Sequence, residues 1–228
     1  MSKITAVIFD MYETLVHNDR GLWRRTFGEI CRAQGLSVDP AVLFEEWKAL
    51  EIVFRGERVN LEEPDKSPPF MPYEEVWRDC FVRSFSNLGL EGDASAAARD
   101  AVRDLGRRRP YQDATEALAA IQAGWRTAVL SNADDGFLYP VINGNGWEFE
   151  AVLSSEAVRA YKPLPVPFLE IMGKMGVGPE QSVYVGDTLY DDILGGQRVD
   201  MKTAWINRDG ASRNAGDPVP DYQIRSLM

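Results

Sequence analysis

Ile4-Thr5-Ala6-Val7-Ile8-Phe9-Asp10-Met11-Tyr12-Glu13-Thr14-Leu15 is the stretch that decides the fold. Its first six residues form an unbroken apolar and β-branched run without alternation, the pattern of a strand buried on both faces of a parallel sheet. Asp10 ends that run. Open α/β sheets bind ligands outside the carboxyl ends of their strands, so a carboxylate at this point is placed to act as a nucleophile or a metal ligand. Aspartate also caps helices and opens turns, and on this stretch alone the two readings stand level.

Outward from Asp10, residues 19–105 carry only helical periodicity. Amphipathic patterns cover 22–34, 42–55, 73–88 and 94–105, punctuated by Gly35, Pro40, Gly56 and four prolines between 64 and 72. From Asp113 the pattern alternates. Helices are predicted over 113–123, 166–175 and 192–199, and strands over 127–130, 151–153, 182–185 and 203–206. The expected fold is α/β: a Rossmann-like, doubly wound parallel sheet core with an inserted all-helical cap. Because the first strand has no partner before residue 126, the helical block reads as an insertion, with core segments at 1–16 and 110–228 and a cap at 17–109. No repeat or low-complexity tract interrupts this plan.

Composition narrows the function. A chain of 228 residues can bury a substantial core, and 35 acidic against 25 basic residues give a net charge of −10. That charge argues against a nucleic-acid partner or an anionic membrane surface, and no apolar stretch has the length of a membrane span. Cys31 and Cys80 are isolated, and the first strand begins too near Met1 for a signal peptide. A cytoplasmic protein, monomer or homodimer, is expected. His17 is the single histidine. A multi-histidine metal centre is therefore excluded and a Ser-His-Asp triad disfavoured, leaving carboxylates, hydroxyls and lysine to carry any chemistry.

Three further strand ends carry such groups. The strand at 127–130 ends in Ser131-Asn132, a hydroxyl and an amide that suit an oxyanion, or simply a turn. Lys162 precedes Pro163, which suits the first turn of the next helix. The strand at 182–185 ends in Gly186-Asp187-Thr188, with Asp191 and Asp192 close behind. Carboxylates this dense point to a hard-cation site, although Asp191 and Asp192 also suit a helix N-terminus.

Taken in order, strand-Asp10-x-Tyr12-x-Thr14-Leu15, strand-Ser131-Asn132, Lys162-Pro163 and strand-Gly186-Asp187-Thr188 resemble the haloacid dehalogenase-like (HAD) hydrolase superfamily. An all-helical insertion directly after the first motif looks like the C1 cap of subfamily I, and Trp205-Ile206-Asn207-Arg208-x-Gly210 also resembles family members. The resemblance implies that Asp10 attacks a small anionic substrate to form a covalent aspartyl intermediate, which water hydrolyses. It gives Thr14, Ser131 and Asn132 hydrogen-bonding roles, and Lys162 the role of offsetting negative charge. Asp10, the Tyr12 carbonyl, Asp187, and Asp192 or Asp191 would hold Mg²⁺.

Two positions pull apart. Phosphatases of the family usually carry a second aspartate as general acid where this chain has Tyr12, whose reference pKa of about 10 suits it poorly to that role. Metal-independent 2-haloacid dehalogenases carry tyrosine there, and residues 154–163 also look dehalogenase-like. Against that, dehalogenases have a neutral Ser-Ser-Asn run where Gly186-Asp187-Thr188 stands, and a cap arginine that Lys48, Arg55 or Arg58 would have to replace. A Mg²⁺-dependent phosphatase acting on a small phosphorylated metabolite ranks first, a 2-haloacid dehalogenase second, and a binding protein without turnover third. The aromatics Trp23, Phe27, Trp47, Phe54, Phe70, Trp77 and Phe81 are expected in the cap core rather than in a substrate pocket. His17 is expected to be a surface hinge residue rather than a general base.

Overall fold

The computed structural model describes residues 3–228. Residues 1 and 2, which the expected core range includes, lie outside the described residues. The chain divides into two compact units.

The first unit extends to His17 and includes Arg109–Asn132 and Asn145–Met228. It is built on six strands: β1 (Ala6–Phe9), β2 (Arg126–Ser131), β3 (Ala151–Ser154), β4 (Ser182–Gly186), β5 (Lys202–Ile206) and β6 (Tyr222–Ile224). All pair in parallel, in the order β3-β2-β1-β4-β5-β6. β1 is central and wholly buried, as its unbroken apolar run demands. From β1 the chain runs outward through β2 to β3, then crosses back to β4 on the other side of β1 and continues to β5 and β6. The carboxyl end of β1 is therefore the topological switch point where such sheets open a ligand crevice.

Alternate residues Ala6, Ile8, Ala128, Leu130 and Tyr184 of the strands share one core with Phe168, Ile171, Met172 and Met175. Those four lie on one stripe of helix Pro165–Met175, and each fully buried side chain of this size contributes about 1.5–3 kcal/mol. Helix Ala114–Gln122 buries Ala114, Ala117 and Leu118 in the same unit.

Three details of this unit depart from the sequence expectations. Pro163 is not in the first helical turn: the Lys162–Pro163 peptide is cis, and the helix begins at Pro165, whose ring occupies the position where a missing N–H has no consequence. The helix expected over 192–199 begins earlier as a π-helical turn, Leu189–Leu194, and continues only as the short Gly195–Gln197. β6 is an additional edge strand of three residues with its side chains largely exposed.

The second unit comprises Asn18–Arg108 and Ala133–Gly144 and is helical. Its main elements are Arg20–Gln34, Pro40–Glu57, Tyr73–Leu88 and Ala94–Leu105, as the amphipathic patterns predict, together with Asp135–Gly144, which they do not. Aspartates fix the helix starts. Asp19, Asp39 and Asp93 accept from the free N–H groups of their own first turns, and both Asp134 carboxylate oxygens accept from Tyr73 and Glu74. Trp23, Phe27, Trp47, Trp77 and Phe81 are buried in one edge-to-face and stacked cluster with centroids 5.2–6.5 Å apart, so they are core residues as expected. Phe54 and Phe70 are half-buried. Among the described residues no helix is long and apolar enough to cross a membrane.

Candidate active site

Asp10 follows β1 directly, and its backbone N–H still donates to Val185 of β4 at 2.9 Å, so the carboxylate is fixed by the sheet itself. Ser131 at the end of β2 donates to Asp10 Oδ1 at 3.0 Å, and Lys162 Nζ donates to the same oxygen at 2.7 Å. Oδ2 receives no side-chain hydrogen bond from the described residues. Asp10 is 6% exposed and Lys162 2% exposed. Burial is the main influence on the Asp10 carboxyl; the Lys162 ammonium opposes it, Asp192 reinforces it, and the result is a pKa pushed up to about 6.

Lys162 does not serve Asp10 alone. Its Nζ also donates to Asp192 Oδ1 at 2.6 Å and to the Tyr184 hydroxyl at 2.8 Å. Burial on its own would lower the lysine pKa, but the Asp10 and Asp192 carboxylates outweigh it and hold the ammonium well above its ordinary value. The other Asp192 oxygen accepts from the Thr188 N–H at 2.9 Å and the Thr188 hydroxyl at 2.8 Å. Asp192 can come this close only because residue 186 is glycine: a Cβ there would overlap the Asp192 side chain. Asn132 binds the backbone of Lys162 at both ends of its amide, donating to the carbonyl at 3.1 Å and accepting from the N–H at 2.8 Å. It thus places the lysine rather than facing Asp10.

One oxygen each of Asp10, Asp187 and Asp192 lies within 4.8 Å of the other two. Of the two expected alternatives behind Asp187, Asp192 joins this set and Asp191 does not. The half-buried Asp187 carboxylate accepts no hydrogen bond from the described residues, and burial, Asp192 and Asp10 together push its carboxyl well above the usual range. Three carboxylates thus face one ammonium. The donors are all hard oxygens, the chemistry that suits Mg²⁺ or Ca²⁺ rather than a soft transition metal.

The turn after Asp10 is compact. Leu15 and Val16 donate to the Met11 carbonyl at 2.8 and 3.0 Å, and Glu13 sits at φ 62°, a left-handed conformation that favours glycine. The Tyr111 hydroxyl donates to Glu13 Oε2 at 2.6 Å. Arg208 donates to the Thr14 carbonyl at 2.8 Å and to Asp113 at 3.0 Å, with its guanidinium 3.7 Å from the Tyr111 ring centroid. The Thr14 hydroxyl is fully buried and has no hydrogen-bond partner among the described residues. His17 packs against Tyr111 with ring centroids 3.8 Å apart and the rings tilted by 41°.

Sequence reasoning missed Tyr184, Thr188, Tyr111 and the structural part played by Arg208. Tyr184 left one signal, a hydroxyl in the otherwise apolar strand Ser182-Val183-Tyr184-Val185. Of the cations considered in place of a cap arginine, Lys48 pairs with buried Glu51 at 2.7 Å, Arg55 pairs with the same carboxylate, and buried Arg58 donates to the Tyr73 hydroxyl.

Comparisons with known proteins bear on the family and the fold of the chain. Residues 4–200 match the family model of the haloacid dehalogenase-like hydrolases. Haloacetate dehalogenase H-2 of Moraxella sp. (strain B) is 27% identical over 231 residues, covering 98% of this chain and 95% of that protein. N-acylneuraminate-9-phosphatase of Rattus norvegicus is 30% identical over 240 residues, covering 100% and 92%. In fold, the HAD-hydrolase YfnB of Bacillus subtilis, solved bound to magnesium, superposes with a TM-score of 0.80 at 18% identity, covering 99% of this chain and 96% of that one. By motif, by fold and by the match over most of its length, the chain belongs to the haloacid dehalogenase-like hydrolase family.

Proposed function

We propose that the protein is a Mg²⁺-dependent phosphatase of small phosphorylated metabolites, with Asp10 as nucleophile. The observation that carries this is the charge balance of the site: Asp10, Asp187 and Asp192 converge within 4.8 Å, and Lys162 neutralises only one of them. With all three ionised, two negative charges remain, and an anionic substrate would be repelled. Asp10, Asp187, Asp192 and the Tyr12 carbonyl would hold a divalent cation, which would supply the missing charge and let the anionic Asp10 carboxylate approach a phosphoryl group.

The chain's own groups do the rest. Lys162 and Ser131 hold Asp10 Oδ1, leaving Oδ2 to attack phosphorus. The phosphorus–oxygen bond to the alcohol breaks, and the electron pair leaves with that oxygen. Water then cleaves the aspartyl phosphate and restores Asp10. Thr14 offers its hydroxyl, which has no partner among the described residues, to the transferred group.

One observation favours a second function. Tyr12 stands where a phosphatase of this family carries its general acid, and a halide needs no proton to depart. The relatives include both a haloacetate dehalogenase and a phosphatase. Assaying p-nitrophenyl phosphate with Mg²⁺ against 2-chloropropionate in EDTA separates the two. Phosphate release dependent on Mg²⁺ is expected; chloride release in EDTA without phosphate release would reverse the assignment.

A further inference from the structure

The third partner of Lys162 has no part in the chemistry described so far. Tyr184 lies on β4, fully buried, with its ring edge-on to Phe168 at 5.0 Å and its hydroxyl 2.8 Å from Lys162 Nζ. The hydroxyl donates its own proton to the Leu130 carbonyl at 2.7 Å. With that proton committed, the oxygen can only accept from Nζ, so the direction of the lysine contact is fixed.

We propose that Tyr184 is a positioning residue that aims the Lys162 ammonium at Asp10 and Asp192, and so sets which Asp10 oxygen is free to react. An ammonium carries three N–H donors, and here Asp10, Asp192 and Tyr184 take one each, at 2.7, 2.6 and 2.8 Å. A lysine 2% exposed has no solvent to take a surplus donor. Without the Tyr184 oxygen, one N–H would be buried without an acceptor, and the ammonium would swing to share an oxygen of Asp10 or Asp192. Either movement disturbs the division of labour at Asp10, where Oδ1 takes Lys162 and Ser131 and Oδ2 takes neither.

Packing does not account for the hydroxyl. A phenylalanine ring would fill the same space among Ala6, Ile8, Ala128, Leu130 and Met172. The Leu130 carbonyl does not account for the short contact to Nζ either. Leu130 lies one residue beyond the last pair of β1 with β2, Phe9 with Val129, and directly before Ser131. Tyr184 thereby ties Lys162 to the strand end that carries the second donor to Asp10.

The inference rests on the proposed function only in taking Asp10 as the nucleophile, and its test reads the lysine directly as well as turnover. In Tyr184→Phe, kcat for p-nitrophenyl phosphate should fall about tenfold to a hundredfold, the worth of one hydrogen bond to a charged group, with KM changed less than about threefold. Incorporation of 3-fluorotyrosine at 184, which keeps the hydroxyl, should hold kcat near the wild-type value. In a Lys162→Met background, Tyr184→Phe should add less than about a twofold loss, because the two residues act as a unit. Independently of activity, ¹⁵Nζ-lysine labelling should give a slowly exchanging ammonium signal in the wild type that shifts or broadens in Tyr184→Phe. An unchanged ammonium signal, or an undiminished loss in the Lys162→Met background, would overturn the proposal. A wild-type protein without phosphatase turnover but with the expected ammonium shift would overturn the proposed function and leave Tyr184 as the positioner of Lys162.

Discussion

Replacing Asp187 by asparagine separates charge from shape at the candidate cation site. Asparagine keeps the size and polarity of the side chain and removes the charge that the site cannot otherwise balance. Carboxylate oxygens within 4.8 Å repel by roughly 3 kcal/mol at an effective dielectric near 20, and Asp187 faces two such partners. In EDTA at pH 7, Asp187→Asn should therefore melt no lower than the wild type. Saturating Mg²⁺ reverses the comparison. At a hundredfold excess over Kd, binding to the native state alone adds about 2.7 kcal/mol. For a chain of this length that corresponds to a rise of about 5–10 °C in Tm. The wild type should show that rise and Asp187→Asn should not, and phosphate release should fall with it. Thermal melts in EDTA and in Mg²⁺, paired with a phosphate assay, read both quantities. An Asp187→Asn protein that keeps its Mg²⁺-dependent melting shift and its turnover would refute the charge argument.

Other expectations follow from the same geometry. Asp10→Asn should abolish turnover while leaving the far-ultraviolet circular dichroism unchanged, since the residue follows β1 and its backbone N–H bond to Val185 is retained. Because burial raises the Asp10 carboxyl from 3.8 to about 6, the folded state holds that proton more tightly than the unfolded chain. Metal-free protein should thus lose roughly 3 kcal/mol of stability as pH rises from about 4 to about 6, and pH-dependent urea melts should show less of this slope in Mg²⁺. Without a carboxylic acid two residues after the nucleophile, kcat/KM over a series of aryl and alkyl phosphates should fall steeply as the leaving-group pKa rises; a flat series would reveal a general acid.

The sheet was legible because buried parallel strands announce themselves as short apolar runs, and Asp10, Ser131 and Asp187 stand at the ends of three of them. The four main helices of the second unit were legible from amphipathic periodicity. Helix Asp135–Gly144 was not, because Asp134-Asp135-Gly136 and an internal Pro140 read as a turn. β6 was too short, and its Tyr222 and Gln223 too exposed, to show a strand pattern. The π-helical turn at Leu189–Leu194 escaped because a helical period of 3.6 does not describe it. Within the site, residue types showed which groups were available but not how they pair. The pairing of Lys162 with Asp10, Asp192 and Tyr184 joins residues 22 to 152 positions apart, and only the strand order brings them together.

The most direct test of a divalent cation beside Asp10 is anomalous diffraction from crystals grown with Mn²⁺ as a stand-in for Mg²⁺. A single peak about 2.0–2.2 Å from an Asp10 oxygen and an Asp187 oxygen, absent in Asp187→Asn, is predicted. Saturating Mn²⁺ with no peak between these two carboxylates would contradict it.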